Sequence, residues 1–129
     1  MTVQDSYDSR EEQNRNRVAG GDQRVATIRV LNDRLRTTGR GGMTLITNGV
    51  ASLGIDQVKQ IFDAVASFSD FSADNDPRGE HDCAVLTVGD SGIIWKIDYY
   101  DRTRRFHSPD PADPKVTVRV LTIMTSAEY

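Results

Sequence analysis

The sequence predicts an α+β fold: two helices packed on a small antiparallel sheet, preceded by a flexible N-terminal tail. Three observations carry this reading. Two segments repeat apolar residues at helical spacing, Gly89-Asp90-Ser91-Gly92 stands between two strand-like runs, and the last run, Val116 to Met124, is dense in β-branched residues. At 129 residues and 37% apolar content the chain is long enough for one domain with a real core and too short for two of ordinary size.

Residues 1–22 hold Val3, Tyr7, Val18 and little else apolar, so they cannot bury enough surface to offset the entropy of ordering and read as a flexible tail. The domain therefore spans 23–129. Ile28, Leu31 and Leu35, with Val25 at the edge, give helix one over about 23–38, and Gly39, Gly41 and Gly42 stop it. Arg29, Arg36 and Arg40 fall on a neighbouring side as a basic stripe, a pattern typical of a solvated face. Met43 to Thr47 reads as a short strand ending in the turn pair Asn48-Gly49. Val58, Ile61, Phe62, Val65 and Phe68 then define the second helix, with Asp56 in its first turn, Leu53 placed to staple onto Val58, and Phe62 and Phe68 assigned to the core.

Ser69 to Glu80 loses periodicity and forms a loop, of a length that is often functional or disordered. A hairpin of 81–88 and 93–100 follows. With Asp90-Ser91 as a two-residue loop, Val88 faces Ile93, Leu86 faces Trp95, Ala84 faces Ile97 and Asp82 faces Tyr99, one core face; the other pairs Val85 with Lys96, Cys83 with Asp98 and His81 with Tyr100. Ser108 to Pro114 is too rich in proline for helix or inner strand and makes a rigid connection. Val116 to Met124 is then a strand buried on both faces, with a helix as the alternative.

Charge excludes some functions. The formal net charge of −3 and calculated pI near 5.3 carry no electrostatic footprint of general nucleic-acid binding, which is not favoured. Residues 1–42 hold eight Arg against six carboxylates, whereas 43–129 hold eight Lys or Arg against thirteen, so the body is acidic. Cys83 is the single cysteine, which rules out an internal disulfide, and it reads as a small hydrophobe rather than a nucleophile. No run approaches the ~20 apolar residues that span a bilayer, and no signal-peptide pattern opens the chain. The expectation is a soluble cytoplasmic protein with no membrane contact and a protein as partner.

The chemistry-bearing residues concentrate in Asp74 to Asp82 and in Trp95 to Asp101. Asp74, Asp76, Glu80 and His81 offer oxygen and imidazole ligands for an irregular divalent metal site, although Pro77 and the missing acids exclude an EF-hand. The competing reading is a set of turns and caps made by the same residues, with no cofactor. His81, Lys96, Asp98 and Tyr100 are the candidates for acid–base chemistry, but a metal-dependent nuclease would want an acid two residues before Lys96, where Ile94 stands. No phosphate loop, nucleophile elbow or zinc pattern is present. Tyr100, Arg102, Arg104, Arg105 and Phe106 form the candidate partner-binding set, because Arg and aromatic side chains dominate interface hot spots.

Asn32-Asp33-Arg34, Asp74-Asn75-Asp76-Pro77, Gly79 to Asp82, Trp95 to Asp101, Asp110 to Pro114, Arg119 to Met124 and Glu128-Tyr129 together resemble domain-of-unknown-function family 3768, with the similarity covering about residues 25 to 129. The resemblance implies a small bacterial protein, typical of alphaproteobacteria and frequently carried on plasmids and other mobile segments. It implies no activity, so no functional residue carries over. The expected function is a non-catalytic binding or regulatory protein linked to mobile elements or defence. The alternative is a metal-assisted hydrolase acting on phosphoesters through Asp74, Asp76, Glu80, His81, Lys96 and Asp98.

Overall fold

The computed structural model describes residues 3–129, with side chains described from Gly21 onward. The order of elements is α1 (Val3–Thr38), β1 (Met43–Ile46), α2 (Asn48–Ala51), α3 (Ile55–Ser67), β2 (Cys83–Val88), β3 (Ser91–Tyr100) and β4 (Val118–Thr125), closed by a 3₁₀ turn over Ser126–Glu128. The tail expected over 1–22 lies almost entirely outside the residues with described side chains. From Gly21 on, α1 ends where the glycines require: Gly39 takes a positive φ of 75° and donates its amide to the Leu35 carbonyl at 2.8 Å.

The four strands form one sheet in the order β1-β4-β3-β2. The α+β class holds, and the last run is a strand. The sheet is mixed rather than wholly antiparallel, because β1 pairs with β4 in parallel, Met43 opposite Val120 through Ile46 opposite Ile123. A parallel neighbour needs a crossover, and the path through α2, α3 and the hairpin supplies it. Central placement explains why β4 buries residues on both sides, Leu121 and Ile123 on one and Val120 and Met124 on the other.

The hairpin register differs from expectation by two residues. Gly89-Asp90 is the loop, so Val88 faces Ser91, Leu86 faces Ile93, Ala84 faces Trp95 and Cys83 faces Lys96. Gly89 holds φ +60° at the first loop position while Asp90 has no positive φ, the pattern of a type II′ turn, whose twist matches the flanking strands. A shift of two keeps every side chain on its face, so Ala84, Val88, Ile93, Trp95 and Ile97 still make the core. The opposite-face pairs change: Cys83 meets Lys96 and not Asp98, and Val85 meets Ile94 and not Lys96.

Helices α1 and α3 cover the face that carries Ile93, Trp95, Ile97 and Leu121, packing Ile28, Leu35, Ile61 and Val65 against it. Phe68 is half-buried on this core, whereas Phe62 is 39% exposed at its rim and not interior. The basic stripe does not form. Arg36 is buried, Arg29 donates to the Gly79 carbonyl at 2.6 Å, and of the three only Arg40 is exposed. Asn48-Gly49 opens the one-turn helix α2 rather than a turn, with Thr47 as its N-cap.

That corner is tied to the end of β4 by Glu128. Its carboxylate accepts from the Thr47 hydroxyl (2.6 Å), the Thr125 amide and hydroxyl (both 2.8 Å) and the Gly49 amide (3.1 Å). A Cβ at position 49 would overlap this carboxylate, so a side chain there would push Glu128 off the Gly49 amide. These donors, the Thr47 hydroxyl foremost, hold the Glu128 carboxyl down at about 2, against an ordinary 4.5. A depressed folded-state value adds stability that is complete above the ordinary value and is lost as pH falls through the folded one. Glu128→Gln is therefore expected to be less stable than wild type at neutral pH, the gap narrowing from about pH 4.5 and closing near pH 2. Urea unfolding across that range checks it, and a gap independent of pH contradicts the role of the charge.

Candidate functional site

Polar side chains gather in two places, one between the helices and the sheet and one at the end of β3. On the helix-covered face Asn32, on the inward side of α1, is fully buried. It accepts from Arg119 Nε at 2.7 Å and donates to Tyr99 Oη at 2.8 Å and to the Glu80 carbonyl at 3.0 Å. Tyr99 passes its own hydrogen to Glu80 Oε1 at 2.7 Å. Arg119 also donates to the Pro111 carbonyl and stands 5.1 Å over the Tyr99 ring. Burial raises the Tyr99 hydroxyl well above the ordinary phenol range and lowers the Arg119 guanidinium. This is a hydrogen-bonded seam that joins α1, β3, β4 and both long connections.

His81 sits beside the seam. Its backbone takes a positive φ of 54°, uncommon for a residue with a side chain, and its amide donates to Asp76 Oδ1 at 3.1 Å. The ring stacks on Phe71 with centroids 3.8 Å apart and planes 6° apart. Nδ1 lies 3.0 and 3.1 Å from the two Asp33 oxygens, and Nε2 lies 3.7 Å from Asp76 Oδ2. An ionised carboxylate only accepts, so Nδ1 carries the hydrogen. Arg36 completes the group: it donates to Asp33 at 2.8 Å and to the carbonyls of Val65, Ala66 and Phe68, closing the end of α3.

The proposed metal ligands do not converge. Asp76 and His81 are neighbours, but Glu80 turns to Tyr99 and Asp74 is exposed. Among the described residues no group of three or more His, Cys, Asp or Glu is placed to hold a metal ion. Nor do the acid–base candidates meet. His81 faces α1, whereas Lys96, Asp98 and Tyr100 point to the opposite face, where Lys96 pairs with Asp98 at 2.8 Å. The expected pairing of His81 with Tyr100 is replaced by a bridge between Tyr100 and His107.

The second site is a cleft of about 340 Å³ at the end of β3, where residues of both faces, Asp82, Asp98, Tyr99 and Tyr100, meet Arg78, Arg105, Phe106 and His107. Three of the five expected partner-binding residues meet here: Tyr100, Arg105 and Phe106. Arg104 instead reaches the Met43 sulfur, and Arg102 is exposed away from the cleft. The loop that presents them is built on Asp101. Its carboxylate accepts from the Thr103 hydroxyl at 2.7 Å and from the amides of Arg105 (3.3 Å) and Phe106 (3.5 Å), and these bonds, Thr103's first, lower its pKa. Arg104 takes a positive φ of 62° to close the turn. Across the cleft Arg78 donates to Asp82 at 2.6 Å. That contact raises Arg78, yet Asp82 is raised too, because burial outweighs the attraction of Arg78 and Glu80 adds repulsion.

With both sites described, comparison with known proteins adds one result. A family model described as "Protein of unknown function (DUF3768)" matches residues 46–128. The chain belongs to this family. The match covers β1's last residue through the Glu128 anchor and leaves out α1, so Asn32 and Asp33 complete the seam from outside the matched region. No curated protein and no solved structure matches the chain.

Sequence reasoning missed Asn32, Asp33 and Arg119 as members of a site. Asn32 had a readable signal, lying four residues after Ile28 and three before Leu35 on the apolar stripe. Asn32→Ala would leave Arg119 Nε buried without a partner, and the expected loss of unfolding free energy is about 3 kcal/mol. Urea unfolding measures it; a loss below about 0.5 kcal/mol would mean that the seam adds nothing to stability.

Proposed function

We propose that this DUF3768 member is a non-catalytic binding protein that recognises another protein through the 101–107 turn and the adjoining cleft, in the service of a mobile element or of defence against one. The observation that carries the reading is Phe106, a large aromatic side chain 70% exposed on a turn fixed by Asp101 and flanked by Arg102, Arg104 and Arg105. Leaving such a ring in water forgoes its burial, and fixing it beforehand reduces the ordering cost of association. Tyr100 and Arg105 beside it are residue types that anchor interfaces. The link to mobile elements rests on the family resemblance.

The separation of His81 from Lys96 and Asp98 by the sheet weighs against the hydrolase alternative, since acid–base partners must come within hydrogen-bond reach. The wild-type chain, used as bait in its bacterial host, is expected to retain a protein partner. Phe106→Ala or Arg105→Ala should weaken that partner by about 2 kcal/mol, roughly thirtyfold in Kd, at unchanged melting temperature. Equal binding by both variants, measured by calorimetry on the purified pair, would remove this patch as the recognition surface.

A further inference from the structure

We propose that β2 is a pairing edge that joins, antiparallel, to β2 of a second copy of this chain, continuing the sheet across a twofold axis centred on Val85. The pairing of Ala84 with Trp95 and the bond from the Ile97 amide to the Asp82 carbonyl (2.7 Å) turn the backbone groups of the even residues toward β3. Those of Cys83, Val85 and Thr87 therefore face outward, and among the described residues none has a backbone partner there. A twofold axis at Val85 sets Cys83 opposite Thr87 of the second copy and Val85 opposite itself, so all three residues exchange both of their hydrogen bonds.

Protein edges are normally protected by charge, proline, a bulge or shortness. This edge, Cys-Ala-Val-Leu-Thr-Val, has no charge and no proline, and its register with β3 is unbroken. Val85 is 68% exposed, and beside it opens a mostly apolar cleft of about 400 Å³ lined by Asn75, Cys83, Ala84, Val85, Ile94 and Tyr129. Charge fits self-pairing as well. No residue of β2 carries a charge, so antiparallel pairing with a second copy sets no like charges against each other along the shared edge. The opposite edge does not share these properties: β1 is only four residues long, and the Arg104 side chain lies on its first residue, Met43.

Pairing of six residues makes a small interface, so the dimer is weak, with a dissociation constant on the order of tens of micromolar. The full chain in analytical ultracentrifugation is expected to move from 14.4 kDa toward twice that mass as its concentration rises to about 0.5 mM. Val85→Lys sets two ammonium groups opposite each other and should raise the dissociation constant about tenfold or more, while its circular dichroism stays that of wild type. Should that variant misfold, amide exchange of wild type decides alone: Cys83, Val85 and Thr87 should gain protection with concentration, and Ala84 should not change. A wild-type chain that stays at 14.4 kDa throughout, or a dimer that Leu45→Lys disrupts and Val85→Lys does not, would overturn the proposal.

Discussion

A guanidinium inside a protein has to be satisfied, and Arg119 is the constraint around which the rest of this fold is arranged. It projects from the central strand β4 into the helix-covered face, 2% exposed, and among the described residues no carboxylate lies within ion-pair distance. Two neutral oxygens and an aromatic face take its place: Asn32, the Pro111 carbonyl and the Tyr99 ring. Each comes from a different part of the chain. Meeting them fixes how α1 crosses the sheet, where the proline-rich connection docks and how Tyr99 is turned, and Tyr99 in turn holds Glu80. The proline-rich segment adds its own closure, with the single Thr117 hydroxyl hydrogen shared between the carbonyls of Asp110 and Asp113.

The acidic loop acquires two faces from this arrangement. Asp76, Glu80 and His81 turn inward, where they are consumed by backbone and side-chain hydrogen bonds, and the residues that looked most like metal ligands become the fixings of the loop. Arg78 turns outward and pairs with the largely covered Asp82, and the two form one wall of the cleft. Loop order and cleft shape are thus set by one network. The unusual φ of His81 is the point where the chain passes from the inner network to the start of β2, and Asp76 holds that bend through the His81 amide.

Much of this was legible in the sequence, and what was not has definite causes. Helix α3 was readable because its apolar residues repeat at 3.6 and Asp56 marks its start. The hairpin faces were readable because side chains alternate, and they survived a register error of two that came from placing the turn on Asp90-Ser91 when only Gly89 accepts the positive φ. The parallel docking of β1 was not readable, since four residues carry no record of their neighbour. For the sites, Tyr100, Arg105 and Phe106 lie within a few residues of one another and were found together. Asn32, Asp33, His81 and Arg119 meet only through tertiary structure, and a stripe read by hydrophobicity alone passes over a buried asparagine.

The two faces of the sheet divide stability from exposure. Every long-range side-chain bond of the seam lies on the helix side, where low dielectric makes each bond strong and each loss costly. On the other face most polar contacts are short in range: Lys96 reaches Asp98 two residues on and Asp101 bonds within its own turn, while Arg104 reaches the Met43 sulfur. Local bonds of that kind fix side chains without tying the face to another layer, so Tyr100, Phe106 and the β2 edge stay open to a partner while the seam behind them carries the fold. A change on the open face should therefore be tolerated by the core, whereas a change at Asn32 or Arg119 reaches the cleft through Tyr99, Glu80 and the loop they position.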